Sequence, residues 1–163
     1  MAGLFQAVYS SPIGEIVVGA TADEVCSLEF VKGRKRPATS PATASRALSA
    51  CFHQLDEYFA GERKIFELLL RLRGTEFQIK VWRALLDVGY GETASYGDIA
   101  RAIGRPNAVR AVGHANGRNP VSIIVPCHRI IGSSGALVGY GGGLRRKEWL
   151  LGHEKKYSGK SRR

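Results

Sequence analysis

The sequence predicts an α+β protein of two domains, followed by a short basic tail. Short alternating or β-branched segments dominate the first 73 residues, whereas helices with clear capping signals dominate residues 74–154. A chain of 163 residues that is 44% hydrophobic can bury a core in each half. We therefore expect an N-terminal α/β domain over residues 1–73, a C-terminal domain over 74–154 and a disordered tail over 155–163.

The N-terminal half begins with three predicted strands. They are expected at residues 4–9, 15–20 and 25–31. Turn-forming residues at 11–14 and 21–24 separate them. Because short turns join consecutive strands, the pattern predicts an antiparallel meander, and a polar loop with basic residues at 32 and 34–36 follows it before Pro37.

A helix and a further strand complete this half. Ser40 and Pro41 offer an N-cap and a proline in the first turn. Apolar side chains then recur at helical spacing until Gly61, at Leu48, Cys51, Phe52, Leu55 and Phe59. From 66 to 72 apolar residues alternate with polar ones, which predicts one half-buried strand.

The C-terminal half predicts short helices. Residues 75–78 form a capping box that opens the first of them. Residues 95–98 start a second helix that runs through Ile103, and a turn at 104–106 leads to a third helix capped by Asn107. Two short helices joined by three residues predict a helix-turn-helix motif.

The third helix, predicted through Asn116, is rich in small residues around Arg110. Small residues permit close approach to another surface, and they fit equally a helix packed inside the domain with a solvated arginine. Beyond this helix the sequence predicts a strand at 123–125, a turn at 132–135 and a closing helix at 144–153.

The chain is basic, with a formal net charge of +10, and five basic groups lie in its last nine residues. This charge favours a polyanionic partner, most simply nucleic acid, and fits equally a solubilising surface. The sequence has no apolar run near the ~18 residues that cross a membrane, and its start lacks the pattern of a signal peptide. We expect a soluble intracellular protein.

Cys127 is the candidate nucleophile. The three cysteines are too few and too scattered for a disulfide framework or a zinc cluster, and Cys26 and Cys51 fit buried hydrophobic positions. Cys127 differs because His128 and Arg129 follow it, and a positive charge there favours the thiolate.

A direct pair between this thiol and the adjacent imidazole is disfavoured. In an extended segment neighbouring side chains point to opposite faces, so His128 can serve Cys127 only through a backbone turn or a water relay. Such a base needs a third group to orient it, and Glu154 and Asn119 are both candidates. His53 and His153 fit packing or surface positions.

Several separated motifs stand out along the second half of the chain. The longest are NPVSIIVPCHR at residues 119–129, YGGGL at 140–144 and KEWLL at 147–151. Shorter matches are FQ at 77–78, VW at 81–82, GET at 91–93, SYG at 95–97 and RAVG at 110–113. In their order and spacing these motifs closely resemble those of the O6-alkylguanine-DNA alkyltransferase family. The resemblance is strong over residues 74–154 and extends to the first 73 residues in general layout, including SPIG at 11–14.

The resemblance implies a ribonuclease H-like N-terminal domain and a C-terminal domain with a winged helix-turn-helix. It implies a suicidal repair protein, in which Cys127 accepts the alkyl group of O6-alkylguanine in DNA. In this interpretation His128 deprotonates Cys127 through a water and Glu154 orients His128. Asn119 supports the active-site turn, and Tyr96 stabilises or protonates the departing guanine. The thioether product offers no carbonyl for water to attack, so one turnover is expected.

The resemblance also implies duplex DNA as the partner, bound through its minor groove with the damaged base flipped out. Arg110 would fill the gap that this base leaves. The resemblance assigns DNA contacts to Ser95, Tyr96, Arg110, Ala111 and Gly113, to which we add His114 from its position on the same helix, and a lesion pocket to Pro126, Ile130, Tyr140 and Gly141. We expect a monomer without metal or cofactor that lies in the cytoplasm and, if the cell is prokaryotic, on its nucleoid when bound to DNA. Alkyl-size preference, activity on O4-alkylthymine and cooperative assembly on DNA stay open.

Three positions depart from the family pattern. Gly89 stands where proline is more frequent and Gly141 where serine is common, and His114 is an unusual choice, for which we expect a pH-dependent phosphate contact. Two alternatives are a non-catalytic binder of alkylated bases and a helix-turn-helix regulator. Cys127 weighs against the first, and the few polar side chains on the third helix weigh against the second.

Overall fold

The computed structural model describes residues 3–33 and 38–159. The chain divides into two compact units, Met1–Leu72 and Arg73–Arg163. The first consists of a sheet with a helix and the second is mainly helical, which confirms the predicted α+β class. The basic residues at 34–36 and the end of the tail at 160–163 lie outside the described residues.

The first unit contains the predicted meander. Strands β1 (Phe5–Ser11), β2 (Gly14–Ala20) and β3 (Val25–Phe30) form an antiparallel sheet in the order β1-β2-β3. Tyr9 pairs with Ile16, and Val18 with Leu28. These four side chains are buried, since every second residue of a strand faces the core.

Helix α1 (Arg46–Phe59) covers this sheet with a buried stripe that includes Leu48, Cys51 and Leu55. The predicted cap at Ser40 is wrong, because residues 42–44 form a separate 3-10 turn and the helix begins after Ser45. The Ser45 hydroxyl oxygen accepts a hydrogen bond from the Leu48 amide at 3.2 Å, which satisfies one of the free amides of the first turn.

The predicted strand at 66–72 is wrong. This segment meets the sheet at one bridge, between Val25 and Leu70. The Gln54 side chain donates to the Glu67 carbonyl at 3.1 Å and accepts from the Glu67 amide at 2.8 Å. Gln54 therefore binds the Glu67 amide and carbonyl that would otherwise pair with a neighbouring strand. Leu69 in the same segment is 67% exposed.

The second unit is built around three helices: α2 (Glu76–Leu85), α3 (Tyr96–Ala102) and α4 (Val109–Gly117). A capping box opens α2 as predicted, and a second capping box, formed by Ser95 and Asp98, opens α3 at its predicted start. The connection from α3 to α4 spans residues 103–108, longer than the predicted three-residue turn. Asn107 does not cap α4, whose N-cap is Ala108 without a side-chain hydrogen bond. The indole of Trp82 donates to the Ala115 carbonyl at 2.9 Å and so joins α2 to α4.

Two short strands and a long helix complete this unit. Strand β4 (Ala94–Ser95) pairs in parallel with β5 (Ile130–Ile131). The predicted strand at 123–125 is wrong, since these residues form a turn in which the Val125 amide bonds to the Val121 carbonyl at 3.0 Å. Ile123 has a φ of 71° there, a conformation that costs a β-branched residue about 1–2 kcal/mol.

Helix α5 (Leu144–Ser158) is longer than predicted. The expectation of a disordered tail from residue 155 is wrong for residues 155–158, which continue this helix. Lys155 and Lys156 lie in its last turn, where positive charge interacts favourably with the helix dipole. Among the described residues, no helix is long and apolar enough to cross a membrane.

Candidate active site

Cys127 begins a 3-10 turn, Cys127–Arg129, and its residue surface is 4% exposed. The turn follows the kinked segment at 121–125, and the Cys127 amide donates to the Val125 carbonyl at 2.8 Å. Burial raises the pKa of the thiol to about 11, although a hydrogen bond with Asn119 and the charge of Lys147 act to lower it. The thiol therefore carries its proton in the resting protein, and a base must remove it.

His128 is fully buried and is held from one side. Its Nε2 lies 2.7 Å from a carboxylate oxygen of Glu154. Burial lowers the pKa of the imidazole, while Glu154 raises it. The ring is therefore neutral at pH 7, with Nε2 donating to the carboxylate, and Nδ1 is an acceptor that has no hydrogen-bond partner among the described residues.

The Glu154 carboxylate accepts hydrogen bonds from three residues. Besides His128 it accepts from Arg129 Nε at 2.8 Å, from Arg129 Nη2 at 3.0 Å and from the Gly91 amide at 3.2 Å. Burial raises its pKa, but the bonds and charges of His128 and Arg129 outweigh this and hold the pKa well below its usual range. Glu154 is therefore ionised.

The position of Arg129 corrects the expectation that its charge favours the Cys127 thiolate. Its guanidinium lies on Glu154, and Nη1 donates to the Val88 carbonyl at 2.6 Å. Tyr90 lies beneath it, with the guanidinium carbon 5.8 Å from the ring centroid. The cation that acts on the thiol is Lys147 instead.

Asn119 braces the turn that carries Cys127. Its amide nitrogen donates to the Val125 carbonyl at 2.8 Å, and its amide oxygen accepts from the Val121 amide at 3.0 Å. Both ends of the strained segment around Ile123 are thus fixed by one side chain. Asn116 on α4 lies behind the same turn, with its amide nitrogen 3.5 Å from the Cys127 carbonyl.

Lys147 is a residue of this site that the sequence reasoning missed. It is fully buried, and its ammonium donates to the carbonyls of Ile130, Val138 and Gly139. A signal for it exists in the sequence, because Lys147 precedes Leu150 by three residues and Glu154 by seven, which places all three on one helix face.

Tyr96 and Tyr140 lie near the thiol. Burial raises the pKa of each hydroxyl, and the Cys127 thiolate is the next cause for both. The Tyr96 hydroxyl donates to the Val138 carbonyl at 3.1 Å. The other candidates for the lesion pocket divide: Pro126 and Ile130 are buried, whereas Gly141 is exposed with open space where a Cβ would lie. Packing therefore does not explain why glycine stands at 141.

The residues with predicted DNA contacts lie on or beside α4. Arg110, Ala111 and His114 are exposed and line an open groove of about 640 Å³. The groove is also lined by Thr75, Phe77, Gln78, Asn107, Ala108 and Ala115. Gly113 is half-buried, and a Cβ there would lie 3.6 Å from the Tyr96 ring. Ser95 is occupied as the cap of α3.

Among the described residues, no group of three or more His, Cys, Asp or Glu side chains could hold a metal ion. The reactive groups that the structure brings together here are the Cys127 thiol, the His128 imidazole and the Glu154 carboxylate. A buried thiol that has a neutral imidazole beside it and a phenol nearby can accept an electrophilic group on its sulfur.

Two family models match the chain. Residues 76–156 match the DNA-binding domain of 6-O-methylguanine DNA methyltransferase, and residues 4–72 match its ribonuclease-like domain. The methylated-DNA-protein-cysteine methyltransferase of Mycolicibacterium paratuberculosis is 50% identical over 149 residues, which cover 91% of this chain and 90% of the relative. The enzyme of the same name from Methanosarcina acetivorans is 46% identical over 150 residues, with 91% and 96% covered.

Solved structures agree with this match. The O6-methylguanine methyltransferase of Mycobacterium tuberculosis aligns with a TM-score of 0.84 at 46% identity, covering 95% of this chain and 94% of that one. A structure of Mycobacterium tuberculosis OGT in complex with DNA gives the same TM-score at 49% identity, with 92% of each chain covered.

Proposed function

Because the chain belongs to the 6-O-methylguanine DNA methyltransferase family, we propose that Cys127 is the cysteine that accepts the alkyl group from the damaged base. The protein is a DNA-binding methyltransferase that repairs DNA by direct reversal of damage: it moves an alkyl group from O6-alkylguanine to one of its own cysteines. The observation that supports Cys127 is its burial on a turn whose next residue, His128, is hydrogen-bonded to Glu154.

The transfer begins with the thiol proton. His128 Nδ1 accepts this proton through a water, because no direct hydrogen bond joins the Cys127 sulfur to the ring among the described residues. The Glu154 carboxylate fixes the tautomer in which Nδ1 is the acceptor and stabilises the imidazolium that forms. Asn119 holds the turn so that the sulfur keeps its position.

The sulfur then attacks the alkyl carbon. An S–C bond forms as the C–O6 bond breaks, and the electron pair of the broken bond leaves with guanine. Tyr96 gives its hydroxyl proton to this leaving group, and its raised pKa keeps the proton on the hydroxyl until then. The product is a thioether, which water does not hydrolyse, so each molecule acts once.

DNA binding places the lesion at this site. The protein binds DNA, and we assign the contact to the exposed face of α4 with Arg110 and His114. In this proposal α4 lies in the minor groove and Arg110 fills the gap left by the flipped base. The target base is O6-alkylguanine, the protein acts as a monomer, and its place is the cytoplasm, where a prokaryotic cell keeps its DNA.

The test is one mixing experiment followed by mass spectrometry of the intact protein. With duplex DNA that carries O6-methylguanine, the wild type should gain one methyl group per molecule and then stop, with the group on the Cys127 peptide. Cys127→Ala should bind the duplex without gaining mass. Cys26→Ala is the matched control and should gain the methyl group. Methyl transfer to Cys127→Ala would show that another residue is the acceptor.

A further inference from the structure

We propose that Arg129 is a positioning residue for the base of the reaction: its guanidinium takes up the negative charge of Glu154, so that His128 stays neutral with Nδ1 free to accept the thiol proton. This inference rests on the proposed role of His128 as that base. It gives Arg129 a role that is separate from the thiol, the lesion and the DNA.

The geometry places the guanidinium where it can do this. Arg129 binds both carboxylate oxygens of Glu154, at 2.8 and 3.0 Å, and one of these oxygens also accepts from His128 Nε2 at 2.7 Å. Arg129 is 7% exposed, and His128 and Glu154 are fully buried. Water therefore screens these charges little, and each acts strongly on the other two.

The charge balance follows from these contacts. A buried carboxylate with only an imidazole for a partner would draw a proton onto the ring, and a protonated His128 cannot accept another. With Arg129 in place the carboxylate already has a cationic partner, so Nε2–H can remain a neutral donor. Arg129 and Glu154 together carry no net charge beside the ring.

The other groups around His128 do not replace this effect. Lys147 on α5 acts in the same direction as Arg129 on the imidazole, but its ammonium is held by the carbonyls of residues 130, 138 and 139. Cys127 on the same turn is neutral in the resting protein. Glu154 on α5 is the group that favours the imidazolium, and Arg129 is the cation that binds its carboxylate directly.

Arg129 is also held in place independently of Glu154. Its Nη1 donates to the Val88 carbonyl at 2.6 Å, and its planar group lies over the Tyr90 ring. A lysine can carry the charge but cannot make this fork and these additional contacts at once. The charge and the fork can therefore be separated by substitution.

The experiment measures the pH dependence of transfer in Arg129→Met and Arg129→Lys, in single turnovers with saturating duplex that carries O6-methylguanine. Removing the charge should raise the midpoint of the acid limb by about one pH unit or more, which is about a tenfold loss of rate relative to the wild type at pH values below both midpoints. Arg129→Lys should restore the wild-type midpoint. A nitrogen NMR titration of the His128 ring should show the same shift without any transfer reaction.

The matched control is Arg63→Met, which breaks a similar arginine–carboxylate pair with Glu57 in the first unit, at 2.9 Å, and should leave the acid limb unchanged. If Arg129→Met does not fold, the same measurements are made on Glu154→Gln and on the double variant that combines Glu154→Gln with Arg129→Met. The acid limb should lie at lower pH in Glu154→Gln than in the double variant, because the guanidinium remains beside the ring only in Glu154→Gln.

The inference is overturned if the acid limb and the His128 titration are the same in the wild type and Arg129→Met. The same result for Glu154→Gln and the double variant would overturn it as well. The wild type would still methylate Cys127 in that case. Failure of the proposed function looks different, because the wild type itself would then leave Cys127 unmodified while the NMR titration could still follow His128.

Discussion

Tyr96 and Lys147 donate hydrogen bonds to the same acceptor, the carbonyl oxygen of Val138, at 3.1 and 2.8 Å. The proposed proton donor and the cation that acts on the thiol are thus hydrogen-bonded to the same carbonyl. For Tyr96 to protonate the leaving guanine, its hydroxyl must leave this carbonyl. Lys147 remains as a donor when it does, so the acceptor is never left unpaired.

Tyr96→Phe should therefore slow transfer without unfolding the protein. We expect a rate loss of about 10²- to 10⁴-fold, the usual contribution of a general acid, and a change in unfolding free energy of less than about 1 kcal/mol. Single-turnover kinetics and urea unfolding measure the two effects. Tyr9→Phe removes a hydroxyl that bonds to Asp56 at 2.6 Å in the first unit and should not alter the rate. A Tyr96→Phe rate within about twofold of wild type would remove Tyr96 from the mechanism.

Glu154→Gln should lower stability at pH 7 by about 3–5 kcal/mol, because it leaves the Arg129 guanidinium buried without a counter-charge. The depressed pKa of Glu154 contributes stability that is present above pH 4.5 and is lost as the pH falls below it. The lowered pKa of His128 acts in the same direction below pH 6.5.

The check is urea unfolding between pH 7 and pH 3. The wild type should lose stability steadily on acidification, and Glu154→Gln should lose less of it below pH 4.5. Glu76→Gln replaces an exposed carboxylate at the start of α2 and serves as the control. Equal acid sensitivity of the wild type and Glu154→Gln would contradict the assignment.

Gly91→Ala and Gly104→Ala form a matched pair. Both glycines have a left-handed backbone, with φ of 76° and 75°. A Cβ at Gly104 meets nothing within 4 Å, whereas one at Gly91 would lie 2.7 Å from Ser158 Cβ. Gly104→Ala should cost only the conformational penalty of about 1–2 kcal/mol, and Gly91→Ala about 1–3 kcal/mol more. Urea unfolding of both variants measures the difference, and equal losses would show that the end of α5 moves aside freely.

Arg110→Ala should reduce repair of duplex DNA more than reaction with free O6-alkylguanine. The guanidinium is exposed on α4, and in the proposed binding mode it acts on the duplex and not on the thiol, so its loss should affect base flipping and leave the thiol intact. The ratio of the two single-turnover rates is the measurement. Arg83→Ala, an exposed arginine at the end of α2, is the control. An equal loss on both substrates would mean that Arg110 acts on the pocket instead.

His114→Ala should remove the pH dependence of DNA binding. The side chain lies one turn after Arg110 on the exposed face of α4, where a protonated imidazole would add a charge-assisted contact to a DNA phosphate. The wild type should therefore bind duplex more tightly at pH 6 than at pH 8, and the gain in affinity should be about that of one additional phosphate contact. Fluorescence anisotropy at both pH values decides this, and a wild type with equal affinity at both would rule the contact out.

Local signals in the sequence predict the parts of the fold that local interactions determine. The capping boxes at 75–78 and 95–98 form because the cap and its partner lie three residues apart in the chain. The meander follows from turns between consecutive strands. The segment at 66–72 fails as a strand because Gln54, twelve or more residues earlier, binds its backbone, and alternation alone contains no information about that contact.

The site shows the same division. The sequence allows two partners for His128, Glu154 and Asn119, and the structure shows that Glu154 binds the imidazole while Asn119 braces the turn. The contact of Arg129 with Glu154 instead of the thiol could not be predicted, because it depends on how α5 is placed against the turn. Lys147 was missed for the same reason, since its carbonyl ligands come from two separate segments.

Lys147 and Glu154 come from the same face of α5, two helical turns apart, with Leu150 buried between them. Substitutions elsewhere on this stretch leave that alignment intact, but an insertion or deletion of a single residue between 147 and 154 would rotate one group by about 100° relative to the other. The length of this segment is consequently under tighter constraint than its composition. Natural or engineered variants of the protein can change residues there far more readily than they can add or lose one.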